Sequence, residues 1–195
     1  MRKIPTLFQR DPDDRLHVIP GEVTPGCEWV LAGEGVATRK WDGTCCLLDD
    51  AGAWWARREV KPGKNPPPGW REVDRDETTG KRVGWEPIEQ SGFARWHAEA
   101  LEQSTLWEPW TYELIGPRIN GNPDRASFHL LVAHGRFDPS FLFGWGADPL
   151  ALPADAIADA RRLGWEGIVW WRDPGDPDCD KAKLKVRDFP EVNPA

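Results

Sequence analysis

Lys40-Trp41-Asp42-Gly43 sets a lysine amine just ahead of a carboxylate and a glycine. In this K-x-D-G pattern a lysine can act as a nucleophile at the α-phosphorus of a nucleotide, and the glycine lets the backbone come close to the bound group. A surface turn is the competing reading of these four residues taken alone. Attack requires a neutral amine, and with an ordinary lysine pKa of about 10.4 only about one amine in a thousand is neutral near pH 7.4. Neighbouring cations and a bound metal would favour the neutral form, so the motif calls for further basic residues nearby.

The C-terminal stretch supplies them. Lys181, Lys183, Lys185 and Arg187 alternate with Ala182, Leu184 and Val186, so a strand would put four cations on one face and the apolar side chains on the other. A solvated edge strand guarded by lysines is the alternative. Glu166, at the start of Glu166-Gly167-Ile168-Val169, is placed to bind a divalent metal or a ribose hydroxyl. Glu113 lies in Tyr112-Glu113-Leu114-Ile115-Gly116, where apolar neighbours would make an unpaired carboxylate costly to bury, so a partner, metal or ribose contact is expected. Arg57, followed by Arg58, Lys61 and Lys64, could contact phosphate, with a solvated charge run as the alternative. His97, His129 and His134 show no metal-ligand spacing and read as structural, His134 least firmly.

These groups must be held by strands and loops. Thirteen Trp against one Tyr, with 19 Pro and 19 Gly, argue for turns and sheets over a helical bundle. Val36 to Leu48 and Ala53 to Val60 read as the arms of a hairpin turned by Asp49-Asp50-Ala51-Gly52, with Lys40 and Arg57 brought close on it. Residues 61 to 84, interrupted by Pro66-Pro67-Pro68, read as a long surface loop. A helix is expected over Ser91 to Ser104 with Ser91 as cap, a strand over Trp110 to Ile115, a buried strand over Phe128 to Ala133, and a helix from Pro153 to Leu163. Glu166 to Arg172 and Lys181 to Arg187 read as a second hairpin. Residues 1 to 30 read as irregular, with one or two short strands.

The net charge of −7 by itself disfavours a polyanion partner, yet part of the acidic excess sits in Asp11 to Asp14, Asp74 to Glu77 and Asp173 to Asp180, read as solvated turns. No apolar run approaches the roughly 20 residues that span a bilayer, and the N-terminus does not lead into a signal-peptide core. A cytoplasmic chain with no membrane partner is expected. Cys27, Cys45, Cys46 and Cys179 lack C-x-x-C spacing and read as unpaired, mostly buried thiols.

Taken in order, Lys40 to Gly43, Glu113 to Gly116, Glu166 to Val169 and Lys183-Leu184-Lys185 resemble motifs I, III, IV and V of the covalent nucleotidyltransferases, the polynucleotide ligases and mRNA capping enzymes. More closely, Lys40 to Cys46, Trp55-Ala56-Arg57, Ile115 to Pro123 and Phe128 to Phe137 look like the 5′-to-3′ RNA ligase family that includes the vertebrate enzyme, over about residues 35 to 188. The resemblance implies an α+β fold of antiparallel β-sheets flanked by helices, the adenylyltransferase fold of ATP-dependent ligase cores, as a single domain over 1 to 195 without an OB domain.

It also implies roles. Lys40 would be the adenylated nucleophile; Asp42 and Arg57 would support nucleotide or phosphate; Glu113 would hold ribose or metal, and Glu166 would assist the metal. Lys183 and Lys185 would bind nucleotide phosphates, Lys185 more firmly because the family does not always carry lysine at the position of Lys183. The implied reaction is joining of RNA 5′-phosphate and 3′-hydroxyl ends through lysyl-AMP and adenylylated RNA, with ATP and Mg²⁺ or Mn²⁺ as cofactors, by a monomer. A DNA ligase, an mRNA guanylyltransferase and a non-catalytic nucleic-acid-binding module are the alternatives.

Overall fold

Runs of alternating apolar residues, broken by Gly, Pro and Asp turns, fold mainly as antiparallel strands with few helices. The structure is a computed structural model and describes residues 1–77, 79–135 and 153–189; the Arg136-Phe137 end of the Phe128 to Phe137 stretch lies outside them. In chain order the elements are β1 (Phe8–Arg10), β2 (Val18–Val23), α1 (Glu28–Leu31), β3 (Val36–Lys40), β4 (Thr44–Leu48), β5 (Trp54–Val60), β6 (Arg71–Arg75), β7 (Arg82–Pro87), α2 (Ala94–Leu101), β8 (Trp110–Ile115), β9 (Leu130–Ala133), α3 (Pro153–Leu163), β10 (Gly167–Trp171) and β11 (Lys181–Lys185). The architecture is α+β, and the strands of each sheet pair antiparallel. No helix among the described residues is long and apolar enough to cross a membrane.

The chain divides into two compact units, Met1–Lys3 with Asp42–His134, and Ile4–Trp41 with Gly135–Ala195. The first holds a six-stranded sheet in the order β6-β7-β5-β4-β8-β9. On one sheet face Cys46, Ala56 and Leu114 pack with Ala100 of α2 and with Ile119. Strand alternation puts Cys45, Trp55, Arg57 and Glu113 on the other face, where Cys45 packs with Trp55 and Trp85.

The second unit holds the sheet β11-β10-β3 and the small pair β1-β2. Ala37, Ile168, Trp170, Ala182 and Leu184 form one face and bury with Ala156, Ile157 and Ala160 of α3. Burying that face fixes the register, because a slip by one residue would exchange core and exposed side chains. Lys40, Thr38, Val169, Lys183 and Lys185 are thereby left on the opposite face. β11 is no open edge, since Lys183 bridges Thr6 in parallel, donating its N–H to the Pro5 carbonyl and accepting from Leu7 N–H.

Several expectations are corrected. The strand Val36 to Leu48 is interrupted at Trp41-Asp42-Gly43, and β3 and β4 belong to different sheets, so Lys40 does not ride on the β4–β5 hairpin that carries Arg57. Residues 61 to 84 are not one loop: β6 and β7 pair across a bulge at Glu72/Asp74, with Arg82 reaching Glu72 at 3.6 Å. Asp74 is thus a strand residue. The Ser91 to Ser104 helix contracts to α2, which begins at Ala94 and carries no side-chain cap on its N-terminus; the Ser91 hydroxyl accepts from Phe93 N–H instead. β9 is half-buried, not buried, because it is the sheet's outer strand. Helix α1 (Glu28–Leu31) stands at the end of the stretch that reads as irregular with short strands.

Gly167 shows how tightly the second sheet is drawn. A Cβ there would lie 2.0 Å from the Leu184 carbonyl oxygen and 2.7 Å from Lys185 Cα. Gly167→Ala is therefore expected to cost about 1–3 kcal/mol, whereas Gly92→Ala, with nothing within 4 Å, should stay within about 0.5 kcal/mol. Urea denaturation of the two variants beside the parent checks this, and equal costs would contradict the close approach at Gly167.

Candidate functional site

Lys40 is the last residue of β3, directly opposite Gly167 on β10, and Gly167 is directly opposite Lys185 on β11. The three positions form one cross-strand row on the face that the core leaves uncovered. Since the middle one has no side chain, two lysines flank a gap. Glu166, the residue before β10, closes it: Lys40 Nζ donates to its Oε2 and Lys185 Nζ to its Oε1. The three side chains are 20%, 16% and 10% exposed for Lys40, Lys185 and Glu166, so the cluster is mostly but not wholly removed from water.

Burial pushes the Glu166 carboxyl up, but the charges and hydrogen bonds of Lys40 and Lys185 together outweigh it and hold the group below its ordinary value of 4.5. The row is also positioned from behind. Lys185 N–H donates to Asp188 Oδ2 at 2.9 Å, and the buried Asp188 accepts from Arg10 Nη2 at 2.7 Å through its other oxygen. Thr38 Oγ1 donates to the Val169 carbonyl at 3.0 Å, tying β3 to β10.

The expected stripe of four cations is narrower than its sequence suggests. Lys183, opposite Val169, is half-buried on the same face as Lys185. Lys181 is buried, donates to the Pro177 and Cys179 carbonyls at 2.7 and 2.9 Å, and lies over Trp171. Burial lowers its pKa. The hairpin loop thus takes two of its three donors and turns its ammonium away from a phosphate-facing stripe. Arg187 has left the strand for a 3-10 turn.

Asp42 and Gly43 belong to the first unit. Asn120 Nδ2 donates to Asp42 Oδ1 at 3.1 Å and to the Gly43 carbonyl at 2.8 Å, while Asp42 N–H donates to Asp124 Oδ2 at 3.2 Å. Asn120, Asn122 and Arg125 all have positive φ, 48°, 58° and 53°, a conformation that Asn tolerates better than most residues and that concentrates where a loop is over-determined. The Ile119 to Pro123 segment is therefore a clamp on the Asp-Gly pair, a role its composition did not announce. Gly43 is required by space: a Cβ would lie 2.2 Å from the Leu114 carbonyl oxygen.

Glu113 has the partners its setting demanded. Its Oε1 accepts Gly43 N–H at 3.0 Å, and its Oε2 pairs with His134 Nε2 at 2.9 Å. Cys45 stands directly opposite Glu113 on β4. Arg57 shares that sheet face, but its guanidinium donates to the Met1 carbonyl at 2.9 Å. His97 and His129 are structural: burial lowers the pKa of His97 to about 4 as it packs edge-on to Trp54, and His129 pairs with Glu99 at 2.8 Å. His134 is the histidine brought to a carboxylate and a thiol, which sequence spacing concealed.

Glu166→Gln keeps the shape of the cluster and removes the charge that both ammonium groups bond. Because the folded carboxyl titrates below 4.5, its stabilisation is fully present above that pH and is lost as pH falls through the depressed folded value. The parent should exceed Glu166→Gln by about 1.5–3 kcal/mol at neutral pH, with the gap closing in acid. Denaturation of both from pH 7 to 3 checks this; a gap that does not change with pH would refute the ion cluster.

No protein-family model matches the sequence, and no curated protein matches it.

Proposed function

We propose that this chain is an ATP-dependent RNA ligase of the covalent nucleotidyltransferase type, built on an adenylyltransferase fold, that carries AMP on Lys40. The supporting observation is the Lys40–Glu166–Lys185 cluster: the nucleophile candidate on β3 and a motif V lysine on β11 share one cross-strand row, and the motif IV carboxylate just before β10 bonds both.

In the first step Lys40 Nζ attacks the α-phosphorus of ATP. An N–P bond forms, the bond from the α-phosphorus to the bridging oxygen breaks, and pyrophosphate leaves with the electron pair. The Glu166 carboxylate favours the ammonium form of Lys40, so attack requires release of that bond and loss of one Nζ proton to water, and a second proton leaves as the N–P bond forms. Lys185, with Lys183 beside it, offsets charge on the phosphate oxygens as it builds in the transition state. AMP then passes to an RNA 5′-phosphate, and the 3′-hydroxyl of a second end displaces it, sealing the strand. Nucleotide-supporting roles for Asp42, Arg57 and Glu113 rest on the resemblance alone; these side chains bond Asn120, the Met1 carbonyl, and Gly43 with His134.

Both Glu166 oxygens accept from ammonium groups, so Glu166 would hold Mg²⁺ or Mn²⁺, together with substrate phosphate oxygens, once a lysine has released one of them to the phosphates. When bound, the ion would neutralise phosphate charge. Glu113 sits beside a thiol and an imidazole, a softer donor set. The choice of RNA over DNA comes from the resemblance alone, as does that of ATP over GTP.

Incubation of the full chain with α-labelled ATP and Mg²⁺, followed by denaturing electrophoresis, should leave label on the protein. Lys40→Ala should abolish it, and Lys185→Ala should slow its appearance by about 10²–10³-fold. No covalent label, or label that survives Lys40→Ala, would overturn the reading; retained RNA binding in that case would favour a non-catalytic binding module. Labelled GTP run in parallel, and nicked RNA against nicked DNA as acceptor, separate the other members of the class.

A further inference from the structure

We propose that Cys45, Glu113 and His134 form a binding site for a borderline transition-metal ion of the zinc class, distinct in chemistry from an oxygen-ligated Mg²⁺ site. The inference stands on the first unit alone and does not rest on nucleotidyl transfer at Lys40.

Three neighbouring strands converge on it. Cys45 of β4 and Glu113 of β8 are direct cross-strand partners, so their side chains leave the same sheet face side by side. His134 follows β9 immediately, and its N–H donates to the Thr111 carbonyl at 3.0 Å, which extends the β8–β9 ladder by one step and fixes where the ring begins. One ligand atom from each residue lies within 4.8 Å of the other two. Tetrahedral bonds of about 2.0–2.3 Å to sulfur, nitrogen and oxygen set such atoms about 3.3–3.6 Å apart, so the side chains would close on the ion by up to about an ångström.

The donor set selects the ion. A thiolate and an imidazole favour Zn²⁺ or Co²⁺ over Mg²⁺, whose coordination is oxygen-only. The surroundings are those of a built site. Glu113 is oriented by the Gly43 N–H on Oε1, which leaves Oε2, the oxygen facing His134, to take the metal in place of the shared proton. Cys45 packs against Trp55 and Trp85, an apolar wall that limits competition from water. Cys46, next in sequence, points to the opposite face, fully buried, where burial pushes its thiol well above the ordinary range; the two adjacent cysteines thus have separate tasks. Three protein ligands leave a fourth position for water or substrate. Because the Glu113 carboxylate also holds Gly43, occupancy would steady the Asp42-Gly43 segment.

The test is titration of the metal-stripped full chain with Co²⁺, without nucleotide. One equivalent should produce a thiolate-to-cobalt charge-transfer band, displaced by equimolar Zn²⁺ and not by Mg²⁺ in about thousandfold excess. Cys45→Ser should abolish the band, Cys179→Ser should leave it intact, and His134→Gln should weaken Co²⁺ binding at least about 10-fold. Absence of the band, its survival in Cys45→Ser, or displacement by Mg²⁺ would each overturn the proposal. If Cys45→Ser fails to fold by circular dichroism, His134→Gln decides, and undiminished affinity overturns the site. A chain that labels itself with AMP yet shows no band rejects only this site, whereas a band without labelling rejects only the ligase reading.

Discussion

A carboxylate between two ammonium groups is the constraint around which the β11-β10-β3 sheet is arranged. Lys40 and Lys185 stand on either side of a glycine in one row, and two like charges so placed on a partly buried face would repel. Glu166 removes the repulsion by giving one oxygen to each lysine. Side-chain bulk at position 167 is excluded by the same geometry, because the backbone of β11 lies where a Cβ would go. Deleting the carboxylate would leave two half-buried cations together, so the three side chains form one energetic unit. The apolar underside of the sheet, Ile168 and Leu184 among it, sets the register that brings the unit together.

The Asp-Gly half of the Lys40 to Gly43 motif is held by a different means. Its backbone and carboxylate are bound by Asn120, Asp124 and Glu113, all neutral or anionic partners, and the loop supplying Asn120 adopts left-handed backbone at three non-glycine residues. Such conformations cost of order 1–3 kcal/mol each and persist only where surrounding bonds over-determine them. Here Asn122 adds a bidentate pair of bonds to the backbone of Ala126, at 2.9 and 3.0 Å. The motif is thus gripped through charge at its lysine and through hydrogen bonds at its glycine.

Local signals were legible and nonlocal pairings were not. The bounds of β8 and α3 follow directly from apolar periodicity with a Pro start and Gly stop, and the Asp49 to Gly52 turn is encoded in its own residues. The β6–β7 pair escaped because Pro66 to Pro68 and the charges around it read as loop, whereas the strand is held by partners across the ladder, such as Glu72 for Arg82. Lys40, Glu166 and Lys185 could be nominated by type and order, but their mutual contact depends on the β3–β10–β11 register, which no short window contains. Lys181 was misread for the converse reason: alternation gives its side correctly, while the loop carbonyls that absorb its ammonium lie outside the strand. His134 and Cys45 were invisible as a pair because sheet order, not spacing, makes them neighbours.

The chain's net charge of −7 and its proposed polyanionic substrates are reconciled by where cations are held in reserve. Acidic side chains at Asp11, Asp49, Asp173 and Asp176 accept backbone N–H groups of their own turns, so these four carboxylates serve local loop geometry. Lys40 and Lys185, in contrast, are bonded to a single carboxylate that they share. On the proposed reading, a phosphate at that row would meet two cations whose shared countercharge is one side chain, Glu166. If the proposed reading holds, attraction for phosphate at this row depends on the state of one carboxylate more than on the charge of the whole molecule, and screening by salt acts on the approach of the substrate more than on the partly buried row itself.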